Sequence, residues 1–123
     1  MVTELTMPLS FTRPPLSMNQ RMHWAQKAKL TKTIRHEAAT RARAMRWGPY
    51  QHVTVTLHYR PRDKRRRDAD NIVPVLKALC DGLVDAKVVP DDTPDLMTKT
   101  MPTIHPADGP AAMWLTITPG DPK

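Results

Sequence analysis

Cysteine, aromatic side chains and long apolar runs are all scarce in this chain of 123 residues. The one cysteine, Cys80, excludes an internal disulfide framework, and with five scattered histidines it cannot form a structural zinc site of the usual spacing. No run approaches the roughly 18 apolar residues that a membrane span requires. Residues 1–10 also lack the basic and apolar regions of a secretory signal. These absences predict a cytoplasmic protein without membrane association.

Positive charge dominates the composition but is concentrated in one part of the chain. The net charge is +7 and the isoelectric point is near 10.0, which favours a polyanionic partner, with nucleic acid ahead of a membrane surface. Residues 20–67 carry fourteen Lys and Arg against two carboxylates, whereas residues 68–95 carry seven Asp against two Lys. A protein that only coats DNA gains nothing from such an acidic block, because carboxylates repel phosphate. The aspartates therefore indicate a further chemical role.

The apolar patterning predicts a single α+β domain over residues 1–123, with two helices packed on a small mixed sheet. Alternation over residues 5–11 indicates an edge strand, because Pro8 cannot donate a ladder hydrogen bond. Strict alternation over residues 53–59 indicates a central strand. The predicted order is β-α-β-α-β-β, with helices over residues 22–46 and from Asp70 or Asn71 to about Asp85, and with final strands over residues 96–101 and 112–118.

The second predicted helix has one apolar and one polar face. At about 100° per residue, its core face comprises Ile72, Val75, Leu76, Leu79 and Leu83. Asp70, Lys77 and Asp81 share the opposite edge. By itself this arrangement is as typical of a solvated helix face that begins with an acidic cap as it is of a functional site.

Two acidic pairs give the polar edge a possible chemistry. Asp68 and Asp70 end a strongly basic segment, and the predicted helix returns Asp91 and Asp92 towards them. Carboxylate oxygens suit Mg²⁺, and that ion neutralises the phosphate that the basic residues attract. The pattern predicts a metal-dependent phosphodiesterase, although Asp91-Asp92 alone also fits a simple turn after Pro90.

These motifs resemble those of the RusA family of Holliday-junction resolvases. The matching segments, in chain order, are Pro14-Pro15 with Asn19, Arg65-Arg66-Arg67-Asp68-Ala69-Asp70-Asn71, Lys77 with Asp81-Gly-Leu, Pro90-Asp91-Asp92, and Leu115-Thr-Ile-Thr. The family lysine follows the motif asparagine by three residues, whereas Lys77 follows Asn71 by six and Pro74 stands at the usual place.

The resemblance implies a homodimeric, Mg²⁺-dependent endonuclease, with Mn²⁺ as a possible substitute, that makes paired symmetric cuts in four-way or other branched DNA. Carried over to this chain, Asp68, Asp70 and Asp92 bind metal, Asp91 assists or replaces Asp92, and Lys77 is the active-site lysine. The residues expected to hold DNA are Arg65, Arg66, Arg67, Asn19, Lys27, Lys29 and Lys32. No organic cofactor is expected, and the setting is the cytoplasm, or the host cytoplasm for a phage-encoded protein.

Two other functions remain open: a non-catalytic DNA-binding module, and a nuclease acting on flaps or replication forks.

The tryptophans, Trp24, Trp47 and Trp114, are predicted to be core anchors rather than base-stacking residues. Cys80 is predicted to be a small packed residue beside the helix core.

Overall fold

A mixed five-stranded sheet and two helices form the fold in the computed structural model, which describes residues 3–18 and 21–120. The elements are β1 (Leu5–Pro8), α1 (Trp24–Ala44), β2 (His52–Arg60), a 3₁₀ turn (Ala69–Ile72), α2 (Val73–Asp85), β3 (Met97–Lys99), β4 (Thr103–Ile104) and β5 (Ala112–Gly120). The α+β class and the helix and strand order are confirmed, apart from the additional strand β4. Neither α1 nor α2, the helices of this described part, is long and apolar enough to cross a membrane.

The sheet has the strand order β1-β5-β2-β3, and β4 pairs with the far end of β2. β2 pairs antiparallel with β5 along its whole length, from His52 opposite Gly120 to Arg60 opposite Ala112. β3 and β4 run parallel to β2, and β1 lies outside β5 at the edge. The predicted central position of β2 and edge position of β1 are therefore both confirmed.

The strand predicted over residues 96–101 is shorter in the structure, and a second short piece of strand, β4, follows it outside the predicted range. β3 ends at Lys99, and β4 begins at Thr103, directly after Pro102. A proline has no backbone N–H and cannot continue a ladder, so the second piece forms a separate pairing with His58 and Tyr59. The sequence pattern did not predict β4.

The core lies between the helices and one face of the sheet. Alternate β2 residues, Val53, Val55, Leu57 and Tyr59, are buried on that face. The predicted α2 core face is also confirmed, because all five of its residues are buried. In α1, the buried residues are Ile34, Ala38, Ala39 and Ala42, so the helix contributes to the core mainly through its second half. Met45 follows the last helical residue and is exposed.

The start of α2 differs from the prediction. A 3₁₀ turn precedes the helix, Asp68 is its capping residue, and no side-chain hydrogen bond caps either the turn or α2. Neither Asp70 nor Asn71 is therefore the N-cap of α2. The helix begins later because Pro74 lies in its first turn, where the missing N–H costs no helical hydrogen bond.

Glu37 joins α1 to the chain that follows β1. Its carboxylate accepts hydrogen bonds from the Ser10 backbone N–H at 2.8 Å and the Ser10 hydroxyl at 2.5 Å, and it pairs with Arg41 at 3.0 Å. Burial alone raises the pKa of Glu37, but the hydrogen bonds from Ser10 and Arg41 outweigh it and leave that pKa below its usual value. The charged form of Glu37 is thus the form that the fold stabilises.

Glu37→Gln is expected to lower the free energy of unfolding at pH 7 by about 2 kcal/mol, the usual contribution of hydrogen bonds to a charged group. Because the folded pKa lies below the ordinary value of 4.5, the wild-type contribution is complete above pH 4.5 and is lost as the pH falls towards the folded pKa. Urea unfolding of both proteins from pH 7 to pH 3 measures this. A difference that does not shrink on acidification would contradict the assignment.

Candidate nucleic-acid and metal site

A strongly basic loop, residues 61–67, follows β2 and is organised by one carboxylate, that of Asp63. Asp63 Oδ1 accepts from the Arg65 backbone N–H at 3.1 Å, and Asp63 Oδ2 pairs with Arg65 Nη2 at 2.9 Å. Arg67 Nη2 donates to Asp63 Oδ1 at 2.9 Å. Hydrogen bonds from Arg65 and then Arg67 hold the pKa of Asp63 well below its usual range. Sequence reasoning assigned no role to Asp63, the one acidic residue of this loop.

The three arginines predicted to bind DNA are not equivalent. Arg65 and Arg66 are exposed, with 93% of the Arg66 side chain open to solvent. The Arg67 side chain is only 21% exposed; its guanidinium also donates to the backbone oxygens of Asp63 and Arg65 and lies 5.8 Å from the centre of the Tyr59 ring. Arg67 therefore stabilises the loop, whereas Arg65 and Arg66 extend towards solvent.

Asp68 and Asp70 lie at the start of the 3₁₀ turn, directly after this loop. The Asp68 carboxylate is 60% exposed and lies 3.9 Å from Arg66 Nε, a loose contact. Asp70 is exposed, and its backbone oxygen accepts from the Val73 N–H. Both carboxylates can therefore take a ligand from solvent with little rearrangement.

The N-terminal proline segment reaches the same place. The Met18 backbone N–H donates to the Asn71 backbone oxygen at 3.0 Å. Pro14 and Ser17 line a cleft of about 420 Å³ together with Arg66, Asp68 and Asn71. The structure thus brings the proline segment to the basic loop and the first acidic pair, which are about 50 residues further along the chain. Asn19 lies outside the described residues.

The second acidic pair has a different partner. Asp91 Oδ1 accepts from the Asp92 backbone N–H at 2.8 Å, which fixes the turn that follows Pro90. Asp92 Oδ2 pairs with Lys99 Nζ at 3.1 Å. This hydrogen bond and the charge of Lys99 lower the pKa of Asp92, with smaller contributions from a hydrogen bond with Asp91 and then from the charge of Lys77.

Lys99 is the functional candidate that sequence reasoning missed. It ends β3, and it lines a cleft of about 300 Å³ with Lys77. This cleft shares no lining residue with the cleft beside Asp68. The charge of Lys77 acts on Asp92, and Lys99 lies in the same cleft as Lys77.

Cys80 lies beneath this polar group and is fully buried, which confirms its predicted packing role. Burial raises the pKa of the Cys80 thiol to about 12. A thiol that stays protonated at neutral pH is a poor nucleophile and a poor metal ligand. Cys80 therefore contributes packing and not chemistry.

The lysines of α1 lie on a separate surface. Lys27 and Lys32 line a wide groove along α1, here called the α1 groove, which Lys29 does not line. Trp24 lines the same groove and is 76% exposed, so its predicted role as a core anchor is wrong. Trp47 is buried, as predicted. Trp114 is half-buried on the sheet face away from the helices, where it stacks on His58 with 5.2 Å between ring centres.

The carboxylates of this region meet the requirements of Mg²⁺ in chemistry but not in grouping. Within residues 3–18 and 21–120, no group of three or more His, Cys, Asp or Glu side chains is close enough to hold a metal ion. Mg²⁺ usually keeps several waters and takes only one or two protein carboxylates together with substrate phosphates. The exposed carboxylates of Asp68 and Asp70 fit that requirement in chemistry. The Lys99 ion pair means that Asp92 would have to exchange one partner for another.

Comparisons with known proteins add little to this description. No family model matches the chain, and no curated protein sequence matches it. Among solved structures, the chain is similar to a chain in the "Crystal structure of HypE-HypF complex", with a TM-score of 0.42 and 8% identity over 95% of this chain and 32% of the other. The chain thus spans about a third of that protein's chain, and a similarity of this size carries no argument about function.

Proposed function

We propose that this protein is a Mg²⁺-dependent endodeoxyribonuclease of the RusA type that resolves four-way DNA junctions by hydrolysing a phosphodiester bond in each of two opposing strands. The observation that carries the proposal is the position of two exposed carboxylates, Asp68 and Asp70, at the end of a loop with outward-extending arginines. A cation-binding group directly beside a phosphate-binding group is what metal-dependent phosphodiester hydrolysis requires.

The residues take distinct parts in this proposal. Asp68 and Asp70 would hold the ion, and Mn²⁺ would serve in the same place. Asp92 would become a further ligand after leaving its ion pair with Lys99. When bound, the ion supplies the polarisation of the phosphate and the activation of water that hydrolysis needs. Arg65 and Arg66 hold the DNA backbone.

Lys77 and Lys99 place positive charge beside Asp92, where it can stabilise the negative charge that develops on the phosphate. Asp63 has an indirect part. It positions the arginines, because it fixes the conformation of the loop that carries them.

A homodimer suits this reaction. An open four-way junction has two-fold symmetry, so two identical sites related by the same symmetry can cut opposing strands. The proposed setting is the cytoplasm, where the protein has access to DNA.

A synthetic mobile four-way junction tests the proposal. With Mg²⁺ we expect paired cuts that yield two nicked duplexes; with EDTA we expect binding without cuts, and linear duplex of the same sequence should stay intact. Binding without cleavage under both conditions would favour a non-catalytic DNA-binding module. Equal cleavage of linear duplex would contradict junction selectivity.

A further inference from the structure

Trp24 is the most exposed large apolar residue among those the structure describes, with 76% of its surface open. The indole contacts the ring of the preceding residue. His23 Nδ1 accepts from the Ala25 backbone N–H at 3.2 Å, and the His23 ring stacks on the Trp24 ring with 5.7 Å between centres. A large aromatic surface thus lies in solvent at the start of α1, in contact with the exposed ring of His23.

The α1 groove continues from Trp24 along the helix, and its lining combines apolar surface with four cationic side chains, two arginines and two lysines. Arg35 and Arg43 both bond to Asp85, the one acidic residue of the groove: Arg35 binds the carboxylate at 2.6 and 2.7 Å, and Arg43 binds the backbone oxygen at 3.1 Å. Lys27 and Lys32 form no ion pair with any residue in the described ranges. The groove therefore keeps two unneutralised lysines next to an exposed indole.

The two lysines and the exposed indole limit which kind of partner can occupy this groove. A second copy of the chain would bring the same lysines against one another, which like-charge repulsion opposes. Fully paired DNA satisfies lysines through phosphate but offers no free base to an indole, because its bases are stacked on each other. Single-stranded DNA offers both groups, and proteins that bind it commonly combine a basic groove with aromatic side chains on which bases stack.

We infer that the α1 groove binds a single-stranded DNA segment, with an unpaired base stacked on Trp24 and the backbone held by Lys27 and Lys32. The inference rests on the proposed nuclease function and extends its range of substrates beyond the four-way junction. Branched DNA that carries unpaired nucleotides, such as a flap or a fork, is bound more tightly than a fully paired junction. The groove is a separate contact from the arginines beside Asp68.

The test compares two DNA probes in EDTA, so that cleavage does not enter: a fork with one single-stranded arm and a fully paired four-way junction. Loss of one base-stacking contact corresponds to about a tenfold weaker Kd, so Trp24→Ala should weaken fork binding by about that factor and junction binding by less than about twofold. Trp24→Phe keeps an aromatic face and should retain most of the fork affinity. The fluorescence of a 2-aminopurine base in the single-stranded arm should be quenched on binding to wild type and not on binding to Trp24→Ala.

Lys27→Ala removes a positive charge inside the groove, and Lys29→Ala removes the same charge outside it. Lys27→Ala should therefore weaken fork binding more than Lys29→Ala does. Equal effects of Trp24→Ala on both probes, or none on either, would overturn the inference. A Trp24→Ala protein with altered self-association but unchanged fork binding would also overturn it. Binding of a polyglutamate chain as tight as binding of the single strand would do the same, because polyglutamate has charge but no bases. Failure of the nuclease proposal would appear separately, as fork binding through Trp24 without cleavage in Mg²⁺.

Discussion

Replacement of Asp70 by Asn is expected to reduce Mg²⁺-dependent cleavage of a four-way junction by more than about 100-fold, because it removes the charge of a proposed metal ligand while keeping the shape of the side chain. DNA binding should be kept or slightly tightened, because a carboxylate next to phosphate is lost. Asp70 is exposed and caps no helix, so the fold should be unaffected. Cleavage rates and binding curves for the same preparation measure the two effects separately.

Asp108→Asn provides the matched control for this change. Asp108 is also exposed, but it lies in the loop between β4 and β5, away from the basic loop in sequence, and the substitution makes the same change in charge. Its cleavage rate should stay within about twofold of wild type. Equal losses in Asp70→Asn and Asp108→Asn would mean that net charge, and not a metal site, sets the rate. An Asp70→Asn protein that cuts at the wild-type rate would remove Asp70 from the site.

Gly82→Ala is expected to lower the free energy of unfolding by about 3 kcal/mol, at the upper end of the usual cost of overpacking. Gly82 lies in α2 where that helix crosses α1. A Cβ atom there would overlap the Arg35 backbone oxygen and come within 2.7 Å of the Ala38 Cβ. Because the nearest atom belongs to the backbone of a packed helix, α1 and α2 would have to separate. The gain in helix propensity, about 1 kcal/mol, is too small to offset this.

Gly120→Ala tests whether the loss comes from the close approach itself. A Cβ at Gly120 would meet nothing within 4 Å, and Gly120, like Gly82, has no positive φ. Thermal or urea unfolding should show Gly120→Ala close to wild type. A Gly82→Ala protein as stable as wild type would show that the helices are packed less closely than the structure has them.

The sequence was informative wherever one residue pattern determines one environment. Strict alternation along β2 determines which of its side chains are buried, because a strand places successive residues on opposite faces. The apolar spacing of α2 identified its core face for the same kind of reason. The first residue of α2 was harder to predict from the sequence, because a 3₁₀ turn and an α-helix place Asp70 and Asn71 in similar local conformations.

The features that were missed depend on contacts between distant segments. Lys99 acquires its position beside Asp92 only through the parallel pairing of β3 with β2, which the local pattern of β3 does not determine. Trp24 was assigned to the core because aromatic residues are usually buried. Trp24 is exposed because α1, with 21 residues, is longer than α2, with 13, and the first turns of α1 contain no buried residue.

The central claim is that one protein makes two metal-dependent cuts at one junction, and a supercoiled plasmid with an extruded cruciform tests it most directly. Paired cuts across the cruciform convert the supercoiled plasmid straight to the linear form, whereas a single cut leaves a nicked circle. With Mg²⁺ the account predicts linear product without accumulation of nicked circles, and no product with EDTA or with Asp70→Asn. A plasmid that stays supercoiled although the protein binds it, or that is only nicked, would contradict the account.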